Sequence, residues 1–175
     1  AELKTAVYIF DDLDAFSDAH LEQALLTVTP TRRKKALWYK YMLDRKLSVI
    51  AELLLMHATG LRQPRYEYAD HDKPALVGSD MPHFNLSHCP LGVACAISDA
   101  PVGIDIEPYH SYNIDVARAV FNPEEQMRVI DRPDRFAELW TVKESYLKYK
   151  GEGLTDDLPT LLADTHSANF ATCHS

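Results

Sequence analysis

The segment opened by Thr29-Pro30 and closed by Gly60 most constrains what this 175-residue chain can fold into. Thr29 suits a helix cap, Pro30 the first helical turn and Gly60 the left-handed residue that ends a helix, which predicts one long helix to about Thr59. Within it Leu43, Leu47, Ile50 and Leu54 fall at 4-3-4 spacing, an apolar stripe that must face a core.

The flanking sequence supplies that core. Val7-Tyr8-Ile9-Phe10 reads as a strand and Ser17 to Leu26 as a short helix capped by Ser17. Arg65–Ala69 and His83–Leu86 read as extended, and Leu91–Ser98 as a buried strand. Val102–Glu107 reads as a further strand stopped by Pro108. Helices are predicted at Ile114–Val120, Pro123–Ile130 and Asp134–Lys150, the last ended by Gly151, and a final strand at Ala168–Cys173. This order predicts an α+β protein of two similar α/β lobes, 1–100 and 101–175, related as a pseudo-twofold. Each lobe is a small antiparallel sheet packed against helices.

Hydrophobic residues make up 46% and charged residues 25%, ordinary for a soluble globular chain. No apolar run reaches membrane-spanning length and the N-terminus lacks a signal-peptide pattern. Cys89, Cys95 and Cys173 form no Cys-x-x-Cys pair, so a cytoplasmic protein without a disulfide framework or zinc ribbon is expected. A net charge of −8 argues against general nucleic-acid binding. Yet Arg32-Arg33-Lys34-Lys35, followed by Lys40, Arg45 and Lys46, is interrupted by a single acid, Asp44. Such a helix is either a solvated face or the seat of a compact anionic ligand.

Chemistry concentrates in three motifs. In Gly103-Ile104-Asp105-Ile106-Glu107, a strand would turn Asp105 and Glu107 to one face and the isoleucines to a core. Two adjacent carboxylates repel unless a cation lies between them, and an oxygen-only site favours a hard ion such as magnesium; a solvent-facing acidic pair is the alternative. In Trp140-Thr141-Val142-Lys143-Glu144-Ser145-Tyr146-Leu147-Lys148, Glu144 and Lys148 stand one helical turn apart. They form either a stabilising surface pair or a third carboxylate and a phosphate contact. In Phe84-Asn85-Leu86-Ser87-His88, a hydroxyl and an imidazole end a strand on opposite faces, unsuited to act as nucleophile and base.

Together and in this order, the motifs resemble the 4′-phosphopantetheinyl transferase family, over about Thr29 to Leu154. The anchors are Val102–Glu107 and Trp140–Lys148, with Gly151-Glu152-Gly153-Leu154 behind. The full N-terminal half, the Asn-x-Ser-His strand and Glu107 beside Asp105 resemble the larger, two-lobed type that activates surfactin synthetase. Members of that type usually continue past the Gly-x-Gly-Leu segment with several strands, whereas this chain stops at Ser175.

The resemblance implies a monomeric magnesium enzyme that moves the phosphopantetheine arm of coenzyme A to a serine of an acyl or peptidyl carrier protein, releasing 3′,5′-ADP. It implies magnesium on Asp105, Glu107 and Glu144, with Glu144 as general base. Lys148, Ser87 and His88 would contact phosphates, and Arg32, Lys35 and Arg45 match basic positions near the nucleotide. Lys73 matches a Gly-Lys-Pro segment beside the adenine, with Asp72 in the glycine's place. The first lobe would hold the nucleotide; the second would hold the metal and meet the carrier along Tyr112–Met127, through Val116, Phe121 and Met127. The competing readings are a magnesium phosphoesterase or nuclease using the same carboxylates, a coenzyme A-binding relative without catalysis, and a non-catalytic nucleotide- or nucleic-acid-binding module using the basic helix.

Overall fold

The structure, a computed structural model, describes residues 2, 4–68, 72–109, 113–152 and 158–161. Strand β1 (Thr5–Phe10) is followed by helices α1 (Asp18–Thr27), α2 (Pro30–Trp38) and α3 (Met42–Thr59). Strands β2 (Tyr66–Tyr68), β3 (Pro74–Leu76), β4 (His83–Cys89) and β5 (Gly92–Ser98) come next. Helices α4 (Ile114–Val120), α5 (Pro123–Val129) and α6 (Pro133–Lys150) complete the order. The architecture is α+β with two small antiparallel sheets, β1-β5-β4 and β2-β3. Every strand among the described residues precedes residue 100, and the predicted strand at Ala168–Cys173 lies outside them.

Register decides what each sheet face does. Phe10 lies opposite Val93, Tyr8 and Leu86 opposite Cys95, and Phe84 opposite Ile97. These side chains share one face and pack with the apolar side of α3, where Leu47, Ile50, Ala51 and Leu55 are buried. The other face carries Asn85 and Ser87 over the small residues Ala94 and Ala96. A third apolar cluster joins Ala117, Val120, Phe121, Val129, Phe136 and Leu147 with Leu158.

The single helix expected from Thr29 to Thr59 is two helices. Residues 39–41, inside the aromatic run Trp38-Tyr39-Lys40-Tyr41, leave the helical path, with extended backbone at Tyr39 and Tyr41. Aromatic residues are mediocre helix formers, and the carbonyl of Tyr39 freed by the break accepts a hydrogen bond from Arg45 Nε at 2.8 Å. The break also lifts Leu43 out of the predicted stripe, leaving it 39% exposed. The signals at the ends hold: Thr29 caps α2, and Gly60 and Gly151 take left-handed backbone at the C-caps of α3 and α6.

Candidate active site

Residues 101–109, predicted to form a strand through Glu107, form no ladder with the sheet. They cross its free face, and side chains replace the missing backbone bonds. Asn85 Oδ1 accepts from Ile104 N at 2.8 Å, and Ser87 Oγ accepts from Ile106 N at 3.2 Å. Acceptors two apart on β4 meet donors two apart on the crossing segment, so alternation persists without strand pairing. Ile104 and Ile106 are half-buried and join none of the three apolar clusters.

Gly103 explains how close this segment lies to α6. A Cβ at that position would fall onto the backbone of Ser145 and Tyr149. Only glycine permits this approach, which brings the next residues within reach of Lys148. Its ammonium donates to Ile104 O at 3.1 Å, Asp105 Oδ1 at 3.2 Å and, more weakly, Leu86 O at 3.4 Å. The same Asp105 oxygen accepts from Ser87 Oγ at 3.1 Å. Asp105 Oδ2 is buried with no hydrogen-bond partner. Burial raises the Asp105 pKa, opposed by the charge and hydrogen bonds of Lys148 and the hydroxyl of Ser87.

Glu144 shares this field. Burial and then the charge of Asp105 raise its pKa, Lys148 opposes, and Glu107 adds to the rise. Glu144 therefore feels both of the other carboxylates named from sequence, across the contact between α6 and the crossing segment. Among the described residues, however, no three carboxylate, histidine or cysteine side chains are gathered closely enough to hold a metal ion. The orphaned Oδ2 and an oxygen-only donor set suit a hard divalent cation, while Lys148 occupies the other Asp105 oxygen.

The basic residues group around His88. His88, at the end of β4, has its pKa lowered by loss of solvent and then by Lys148, Lys35 and Arg32, with Asp44 opposing. Lys35 is likewise lowered by burial and by Arg32. Arg32, Lys35, His88 and Lys148 thus crowd one region, a field suited to a compact anion. Arg32 and Lys35 also line a cleft with Tyr66, Tyr68, Pro74 and Phe84.

Not every candidate residue faces this region freely. Ser87 is buried, its hydroxyl engaged by the Asp105 segment. Arg45 braces the α2–α3 turn through Tyr39. Lys73 donates to Val102 O at 3.2 Å and to Tyr149 O at 3.0 Å, so its ammonium sits at the carbonyl end of α6. Asp72, where the resemblance has glycine, takes φ 58°, a left-handed conformation that aspartate tolerates better than most residues. Of the apolar residues expected at a docking surface, Val116 and Met127 are exposed at 37% and 74%. Phe121, at 1%, belongs to the core.

Sequence reasoning passed over Lys143 as a functional group of the second motif. It is fully buried, and its Nζ donates to Val120 O (2.9 Å), Glu125 Oε2 (2.7 Å) and Leu158 O (2.7 Å). Glu125 meanwhile accepts from Asn122 N, closing the capping box of α5. The lysine of Trp-x-x-Lys-Glu-Ser therefore knots α4, α5 and α6 together. Its only sequence signal was a cation amid the apolar residues of a helix.

Residues 101–174 match a model of the 4′-phosphopantetheinyl transferase superfamily. The chain is 29% identical over 154 residues to 4′-phosphopantetheinyl transferase psf-1 of Bacillus pumilus, covering 82% of this chain and 66% of that one. It is 25% identical over 156 residues to 4′-phosphopantetheinyl transferase Sfp of Bacillus subtilis (strain 168), covering 83% and 70%. A shorter stretch of 77 residues is 43% identical to 4′-phosphopantetheinyl transferase gsp of Aneurinibacillus migulanus, covering 41% and 32%. The chain spans about two thirds of the length of the first two relatives.

Proposed function

We propose that this chain, whose residues 101–174 match the 4′-phosphopantetheinyl transferase superfamily model and which is similar to transferases of that name over most of its length, transfers the phosphopantetheine arm of coenzyme A to a serine of an acyl or peptidyl carrier protein. The observation that carries this reading is the meeting of Asp105, Glu144 and Lys148 near the cations Arg32 and Lys35 and the imidazole of His88, which stays neutral and can still donate one hydrogen bond. Acids and cations set near one another suit a pyrophosphate: the cations bind it and the carboxylates serve the acceptor.

In this reading the serine oxygen bonds to the β-phosphorus and the bond to the bridging pyrophosphate oxygen breaks, so 3′,5′-ADP departs. Glu144, its pKa raised by burial and Asp105, takes the serine proton. Lys148 offsets charge on the departing oxygen, and Asp105 holds that ammonium in place. Magnesium bound by Asp105, Glu107 and Glu144 would neutralise pyrophosphate charge, a role supported by the unpartnered Asp105 Oδ2. Ser87 and Asn85 fix the position of the acidic segment beneath these groups.

The same reading divides the chain at about residue 100 into a nucleotide-holding lobe and a carrier-meeting lobe, with pseudo-twofold symmetry. The separation of the apolar clusters before residue 98 and after residue 116 supports this division. Exposed Val116 and Met127 would meet the carrier. The reading takes the protein as a monomer acting in the cytoplasm; no described helix is long and apolar enough to cross a membrane.

The test is incubation with coenzyme A, magnesium and a panel of apo-carrier proteins, read by intact mass. Gain of the phosphopantetheine mass on a carrier serine, lost in Asp105→Ala and Glu144→Gln, is expected. Nucleotide release without any modified carrier would instead identify a phosphoesterase.

A further inference from the structure

We propose that Glu52 is a positioning residue for coenzyme A, its buried carboxylate holding the N-terminus of α2 so that Arg32 and Lys35 are set at the anion. This inference deepens the transferase reading and rests on it. Glu52 lies in α3 with no exposed surface, at the wall of the cleft that Arg32 and Lys35 also line. Its Oε2 accepts from Thr29 N at 2.8 Å, and Tyr66 Oη donates to Oε1 at 2.8 Å. Thr29 Oγ1 donates to the carboxylate at 2.9 and 3.1 Å while accepting from Arg32 N at 3.3 Å.

The Thr29 hydroxyl is therefore oriented from both ends. Its proton goes to Glu52, which leaves a lone pair aimed at the first turn of α2, where a cap must accept. Arg32 Nε stands 3.9 Å from Oε1, near enough to be biased in direction yet beyond a hydrogen bond. Tyr66 extends the anchor into β2, and its ring packs against Phe84 of β4 at 6.0 Å between centroids. Burial first, and then Glu52, raises the Tyr66 pKa, so the phenol remains a donor.

A carboxylate beneath an anion-binding surface opposes the anion by charge alone. Its contribution here is directional: three donors, the Thr29 N–H, the Thr29 hydroxyl shared between both oxygens and the Tyr66 phenol, converge on one buried group. Reorientation of α2 would move both cations away from the ligand without touching Glu144 or Lys148. The expected signature is weakened coenzyme A binding with the chemical step retained.

Glu52→Ala is expected to raise the coenzyme A KM, and its Kd by titration calorimetry, about tenfold, with kcat and carrier KM within about twofold of wild type. Glu52→Gln, which restores an acceptor for Thr29, should bring both constants back to within about threefold. Should Glu52→Ala fail to fold, the isosteric Thr29→Val, lacking only the hydroxyl, decides, with an expected rise of about threefold or more. Wild-type coenzyme A constants in a folded variant overturn the assignment, as does a fall in kcat with KM unmoved. If wild type itself modifies no carrier, the transferase reading fails instead.

Discussion

Removal of the Lys143 ammonium by Lys143→Met is expected to destabilise the helical cluster α4–α6 without removing any group of Asp105, Glu144 or Lys148. Methionine fills similar space, so the effect isolates the charge and its hydrogen bonds. The substitution strands the carbonyls of Val120 and Leu158 and leaves Glu125 buried with only the Asn122 N–H. Removing one partner of a buried pair costs roughly 3–5 kcal/mol. At about 2–4 °C per kcal/mol for a chain of this size, Tm should fall by about 6–20 °C. Circular dichroism melts and urea titrations measure this, with the urea slope unchanged if the folded state keeps its compactness. A second arm tests the cause. Glu125→Gln keeps an acceptor for Asn122 but removes the stranded charge, so Lys143→Met/Glu125→Gln should recover about 1–2 kcal/mol over the single variant. A Tm change under about 2 °C for Lys143→Met, or a double variant no better than it, refutes the reasoning.

Three other consequences are open to direct measurement. Gly103→Ala forces the acidic segment away from α6, so a loss of about 1–3 kcal/mol in urea titration and weaker coenzyme A binding are expected; unchanged values would show that the helix yields. Burial and Asp105 raise the Glu144 pKa above 4.5, so the stability it contributes is complete below that value and lost as pH rises through its folded pKa. In EDTA, the Tm advantage of Glu144→Gln over wild type should therefore grow from about pH 4 to pH 8; a gap that shrinks would contradict the shift. Burial pushes the Cys95 thiol up to about 12, so iodoacetamide should label it only after unfolding, and rapid native labelling located by peptide mass spectrometry would contradict that burial.

Local signals carried much of the architecture. Ser17, Thr29, Gly60 and Gly151 marked helix ends because capping depends on one or two residues and survives any tertiary context. The break at residues 39–41 was hidden, since two helices in sequence carry the same composition as one. They part at the aromatic residues 39–41, and the local hydrogen bond from Arg45 to Tyr39 takes up the carbonyl that the break frees. The strand expected at Val102–Glu107 failed for a related reason. Alternation reports which side chains share a face, and that was preserved by Asn85 and Ser87 without any ladder. Spacing brought Glu144 and Lys148 to one helix face, but only the fold could bring Lys148 to Asp105. Glu52 and Lys143 were illegible as structural charges, because a buried ion depends on partners distant in sequence.

The two side-chain rivets from Asn85 and Ser87 separate the aim of the acidic strip from the integrity of the sheet below it. A continuous ladder would shift as a block, whereas here a change at either rivet can tilt Asp105 by itself. Divergent chains built on this scaffold could retune the reacting groups through those two sites while the underlying strands keep their register.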